Sequence, residues 1–109
     1  MEAENFEWHD GILQEICILG TGRVKVVCDL YPDQSATSRV HLSFLCTEVK
    51  SAANLIDFTA LLNNKWAGNI NDGRIETRPD GHTTLKLFLS DGYLEIITAE
   101  MCIEHNPTN

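Results

Sequence analysis

Residues 12–31 read ILQEICILGTGRVKVVCDLY, and the fold class turns on this stretch. Residues 12–19 are rich in β-formers and stop at Gly20-Thr21-Gly22, a short glycine turn. From Arg23 the chain alternates: Val24, Val26, Cys28 and Leu30 fall on one face, Arg23, Lys25 and Asp29 on the other. A period of two with a turn between the runs predicts an amphipathic β-hairpin. Pro32 and the polar run after it break the pattern. Residues 39–46 (RVHLSFLC) then alternate again, with Val40, Leu42 and Phe44 inward and Arg39, His41 and Ser43 outward.

After Ser51, read as a helix N-cap, the spacing changes. Leu55, Phe58 and Leu62 recur at three to four residues, widened by Ile56 and Leu61, which predicts one amphipathic helix ending near Asn63-Asn64. Asp72-Gly73, Asp80-Gly81 and Asp91-Gly92 punctuate the remainder. The last two separate the strand-like runs RIETR, TTLKLFLS and YLEIITA, as hairpin turns do. The expected fold is therefore α+β: about six mostly antiparallel strands in a meander sheet, sandwich or half-barrel, with one helix inserted after the third strand. At 109 residues the chain is expected to form a single domain, 1–109.

Charge is the strongest functional signal. Residues 1–22 carry Glu2, Glu4, Glu7, Asp10 and Glu15 with no Lys or Arg, and residues 87–109 carry Asp91, Glu95, Glu100 and Glu104, again with none. The segment between is close to neutral, so the net charge of -8 resides in the two ends. Chain ends of a domain often lie together, and nine carboxylates brought together would form one face that steers a basic partner. The same charge argues against nucleic acid as a partner, because counterion release needs a basic footprint. No apolar run is long enough to span a bilayer, and the acidic opening MEAENFEWH is unlike a signal peptide. The expectation is a cytoplasmic protein with no membrane partner. Its four cysteines, Cys17, Cys28, Cys46 and Cys102, are irregularly spaced and read as small hydrophobes rather than disulfide partners.

No motif completes a catalytic or metal site. His9-Asp10 is the kind of pair that metal-dependent phosphohydrolases use, but those need further ligands on several helices; His41, His82 and His105 are scattered. A turn before the first strand, loosened by Gly11, explains the pair. There is no Cys-x-x-Cys for zinc, and Cys28 points away from the nearby Lys25 and Arg23 that would activate it. Gly68–Gly73 fails the calcium-loop register. Gly20-Thr21-Gly22 lacks the remaining glycine and the helix of a dinucleotide site. No cofactor or metal is expected, and no enzymatic activity. Two tryptophans stand in polar surroundings, Trp8 among the N-terminal acids and Trp66 in NNKWAGN, and each reads either as core edge or as a binding anchor. Tyr93, between Asp91 and Glu95, joins them.

In general plan the chain resembles a bacterial immunity protein of contact-dependent growth inhibition and related polymorphic toxin systems. The resemblance lies in the opening WHDGILQEICILG leading into VKVVCDLY, in LLNNKWAGNINDG, and in the closing DGYLEIITAEMCIE. It implies a non-enzymatic antitoxin that binds a cognate toxin, often a basic nuclease, and blocks its active site or substrate groove. No individual residue role follows from it. From charge and aromatic content, the expected partner surface comprises Glu4, Glu7, Trp8, Asp10, Trp66, Asp91, Tyr93, Glu95, Glu100 and Glu104, with a monomer favoured. The competing readings are a subunit dimerising through the edge of the last strand and a small hydrolase using His9 and Asp10.

Overall fold

A computed structural model describes residues 6–56, 69–90 and 92–105. Six strands follow one another: β1 (Glu7–Gly20), β2 (Arg23–Tyr31), β3 (Val40–Ile56), β4 (Asn69–Thr77), β5 (Thr83–Leu89) and β6 (Gly92–His105). They form a closed antiparallel barrel in the order β1-β2-β3-β6-β5-β4. Among the described residues the fold is all-β, which corrects the α+β expectation. The segment beginning at Ser51 is not a helix: Ser51–Ile56 extends β3 and pairs with Ile97–Gly92 of β6. Ala52 and Ala53 suit a helix by intrinsic propensity, but the backbone pairing offered by β6 overrides it. The rest of the expected helix, with Phe58, Leu61, Leu62 and the Asn63-Asn64 stop, lies outside the described residues.

Alternation builds the wall as expected for β2 and the first half of β3. Val26, Cys28, Leu30, Leu42 and Phe44 are fully buried inside, whereas Arg23, Lys25, Asp29 and His41 face outward. β4 and β5 meet at the Asp80-Gly81 turn, where Gly81 takes a positive φ of 89° that an L side chain adopts only with strain. Asp72-Gly73, in contrast, is no turn and sits within β4. His9-Asp10 lies inside β1 rather than before the first strand.

Two bulges let six strands close. Glu48 has φ 55°, and the β3–β6 register shifts between Val49 and Ser51. Before this point β3 lies between β2 and β6; beyond it, only β6 pairs with it among the described residues. The bulge is pinned from both sides. Val49 N donates to Gly22 O at 2.9 Å, docking the β1–β2 turn. The buried Thr98 hydroxyl lies 2.7 Å from Thr47 O and 3.0 Å from Glu100 O, providing a donor where the ladder is interrupted. In β1, Asp10 has φ 66° within another register irregularity, and Arg39 Nε donates to Asp10 O at 3.0 Å.

The first turn of β1 then aims Trp8 inward. Its ring is 8% exposed, stacks on Phe44 at 5.9 Å and meets Phe6 edge-on at 6.4 Å. On β4, Gly73 makes room for it: a Cβ there would stand 2.3 Å from the indole. The β1–β4 seam itself carries only two registered pairs, Gly11↔Ile70 and Ile12↔Asn69. Trp8 therefore supplies side-chain packing where backbone pairing is short.

Truncating Trp8 to Ala is expected to cost about 3–5 kcal/mol, and Gly73→Ala about 1–3 kcal/mol by overpacking. If the second cost arises from the indole, Gly73→Ala adds little in a Trp8→Ala background. Chemical denaturation of the four chains tests this, and additive costs would refute the contact.

A second test concerns acid stability. The Asp80 carboxyl is held down to about 2, first by the backbone N–H of His82, then by the His82 side chain and by Arg78, against an ordinary value of 3.8. A depressed carboxyl pKa contributes stability that is present above the ordinary value and is lost as pH falls through the depressed one. Asp80→Asn should therefore flatten the fall in melting temperature between about pH 4 and pH 2.

Candidate functional site

The bulge at Asp10 and the loop after β2 together open a cleft at one end of the barrel. It has a volume of about 330 Å³ and is lined by Glu7, His9, Asp10, Tyr31, Asp33, Gln34 and Ala36. Three carboxylates share it. Glu7 Oε1 accepts from His9 N at 3.1 Å, and His9 Nε2 stands 3.7 Å from Asp10 Oδ1. The His9 ring is turned by Asn71, whose carbonyl oxygen lies 3.2 Å from Nδ1. Asp33 is fixed by the loop: its Oδ1 accepts from Ser35 N at 2.8 Å and from Ser35 Oγ at 2.6 Å. These hydrogen bonds, the Ser35 hydroxyl first, hold the Asp33 carboxyl below the usual carboxylate range. Asp33 therefore keeps its charge in mild acid.

Tyr31, paired with Glu7 across the β1–β2 ladder, adds an aromatic ring to the lining. The Arg39 guanidinium lies 4.9 Å above the Tyr31 ring while its Nε holds the Asp10 carbonyl. Among the described residues no Lys or Arg ion pair takes up Glu7, Asp10 or Asp33; the Lys and Arg ion pairs involve Asp72, Glu76, Asp80 and Glu95. The cleft thus gathers three carboxylates outside the Lys and Arg ion pairs described, a charge suited to cations, with Arg39 lying over Tyr31.

The terminal carboxylates fall into separate places. β1 and β6 are three positions apart in the ring, so two strands stand between them in either direction. Glu7 and Asp10 belong to the cleft. Glu100 and Glu104 lie on β6 opposite Thr47 and Ser43, on the outer wall. Glu104 is in one transverse row with Ser43, Val27 and Glu15, roughly 14 Å across at the usual strand spacing. Glu95 is on the other half of the barrel, where Lys86 bridges it and Glu76 at 3.9 Å each. Tyr93 is there too, packed on Phe88 at 5.4 Å, and its hydroxyl is pushed up by desolvation and by Glu95. Trp8 is in the core and presents no binding face. Glu4, Trp66 and Asp91 lie outside the described residues.

Among the described residues no set of three or more His, Cys, Asp or Glu side chains is placed to hold a metal. The buried thiols are poor nucleophiles: desolvation pushes Cys28 far up and Cys46 to about 11. Among the described residues, no helix is long and apolar enough to cross a membrane.

No family model matches the chain, and neither a curated protein nor a solved structure does. The site must be judged on its own chemistry. Sequence reading missed Tyr31, which β2 pairs with Glu7, and Asp33 and Arg39, which the loop 32–39 brings back to β1. The signal available was Tyr31-Pro32-Asp33 followed by Ser35, since Pro and an Asx turn impose a tight reversal. It also missed the outer-wall cluster in which Gln14 Nε2 donates to Asp29 Oδ2 at 2.9 Å and Asp29 Oδ1 meets His41 Nδ1.

Ser35→Ala is expected to raise the Asp33 pKa toward the ordinary value while leaving the fold intact. Carboxyl titration by NMR reads this directly; an unchanged Asp33 midpoint would remove the loop hydrogen bonds as its cause.

Proposed function

We propose that the chain is a non-enzymatic binding protein that neutralises a basic protein partner, in the manner of an immunity protein blocking a toxin's active site or substrate groove. The observation that carries this reading is the cleft that gathers Glu7, Asp10 and Asp33, none of which enters a Lys or Arg ion pair among the described residues. Such a patch attracts Lys and Arg side chains that themselves line the phosphate-binding groove of a nuclease, and it speeds association at low salt. The net charge of -8 adds to the long-range part of that attraction. Glu100 and Glu104 extend the negative field on the outer wall without joining the cleft. Glu95 is discounted, because Lys86 already compensates it.

The subunit alternative, docking through the run 93–99, loses its premise over Gly92–Thr98, where β6 is paired with β3 on one side and β5 on the other.

Co-expression with the protein encoded immediately upstream, purified through a tag on this chain at low and high salt, tests the reading. A stoichiometric basic partner that is toxic alone supports it. Against that partner, reversing Glu7, Asp10 and Asp33 together to Lys should lower the association rate at least about tenfold at low salt and flatten its salt dependence. Glu95→Lys should change it little. Association unaffected by the triple reversal would rule out the cleft.

A further inference from the structure

The far end of β1 has a different character from the cleft. Ile16, Ile18 and Leu19 are 36%, 83% and 41% exposed, three of the four large exposed apolar side chains among the described residues. Ile16 and Ile18 pair with Val26 and Val24 on β2, so both project on the barrel-interior side of a hairpin that runs past the core. On the side of β1 away from β2, pairing to β4 ends at Ile12. Residues 13–20 have no second strand neighbour among the described residues. The hairpin also holds spare positive charge. The described ion pairs take Lys50, Arg74, Arg78 and Lys86, and Arg39 covers Tyr31, whereas Arg23 and Lys25 enter none of them.

We propose that two copies of this chain associate through the 13–20 edge of β1, antiparallel about a two-fold axis at Cys17. In that register Ile16 of each copy pairs with Ile18 of the other, which places four isoleucines on one face of the joined sheet. On the opposite face Cys17 meets Cys17, and Glu15 of one copy meets Leu19 of the other. Arg23 of that other copy, paired beside Gly20 on β2, lies one strand further out. At a strand spacing of about 4.8 Å a guanidinium reaches over Leu19 to Glu15. The two-fold makes this contact twice, so an otherwise acidic, self-repelling chain meets itself where its charges are complementary. Added main-chain hydrogen bonds complete the ladder. The cleft sits at the opposite end of β1 and stays open, so the dimer would present two of them.

Light scattering and sedimentation between roughly 1 and 100 µM read the association. The expected result is a dimer. Ile18→Glu should raise its dissociation constant at least about tenfold, with the melting temperature held because the side chain is already exposed. Arg23→Glu should weaken the dimer, and Glu15→Arg added in the same chain should restore it, an outcome that misfolding does not produce. In a Cys102→Ser background, mild copper-catalysed oxidation should link the two copies through Cys17, and Cys17→Ser should abolish the link. A monomer at the highest concentration overturns the proposal. So does a dimer indifferent to Ile18→Glu, or one that Cys17 does not cross-link.

Discussion

The indole of Trp8 against the backbone of Gly73 is the contact on which barrel closure depends. Hydrogen bonding alone gives the β1–β4 seam little to work with, since two registered pairs close it. What joins β1 to β4 is a large aromatic surface clamped between the glycine of one wall and Phe44 of the other. Burial of one such ring is worth several kcal/mol, a large share of the stability of a domain this size. Glycine at position 73 is thus explained by an aromatic neighbour and not by turn geometry.

Closure also requires β1 and β3 to bend. Each does so at a non-glycine residue with positive φ, Asp10 in β1 and Glu48 in β3. Side chains in that conformation cost energy, and in both places local hydrogen bonds offset it. Arg39 takes the Asp10 carbonyl, while Gly22 and Thr98 supply partners around Glu48. The bend at Asp10 does more than turn the strand. It swings Glu7 and Asp10 toward the loop carrying Asp33, so the device that closes the wall also gathers the carboxylates of the cleft.

How much of this was readable from sequence depends on whether local pattern or remote pairing decided the element. The hairpin 12–31 and the inward set Val26, Cys28, Leu30, Leu42 and Phe44 were legible, because alternation reports a strand with one wet face. Ser51–Ile56 was not. Its alanines and the leucine spacing beyond them satisfy a helical period, and only pairing with β6, some forty residues away, makes it a strand. Trp8 was ambiguous for a similar reason, since its polar neighbours suggested surface while Gly73 and Phe44 lie 65 and 36 residues distant. The cleft was half legible. The acids of β1 were visible as charge and Tyr31 joined them by pairing with Glu7, but Asp33 arrived through a loop path that no periodicity encodes.

Closure, finally, sorts the charge that looked uniform along the chain. A strand order with β1 beside β6 would have fused both acidic ends into one face. In a six-stranded ring the order β1-β2-β3-β6-β5-β4 sets them opposite each other. Glu95 then falls beside Lys86 and is compensated, while among the described residues no Lys or Arg ion pair reaches Glu7 or Asp10. The same strand that begins in this negative cleft ends, roughly 25 Å along at ordinary strand rise, in exposed isoleucines flanked by Arg23 and Lys25. β1 therefore changes character from end to end, acidic at its start and apolar at its finish, where the neighbouring β2 supplies Arg23 and Lys25. Surfaces so different in chemistry suit different partners, so under the two proposals made above engagement of one end need not compete with the other.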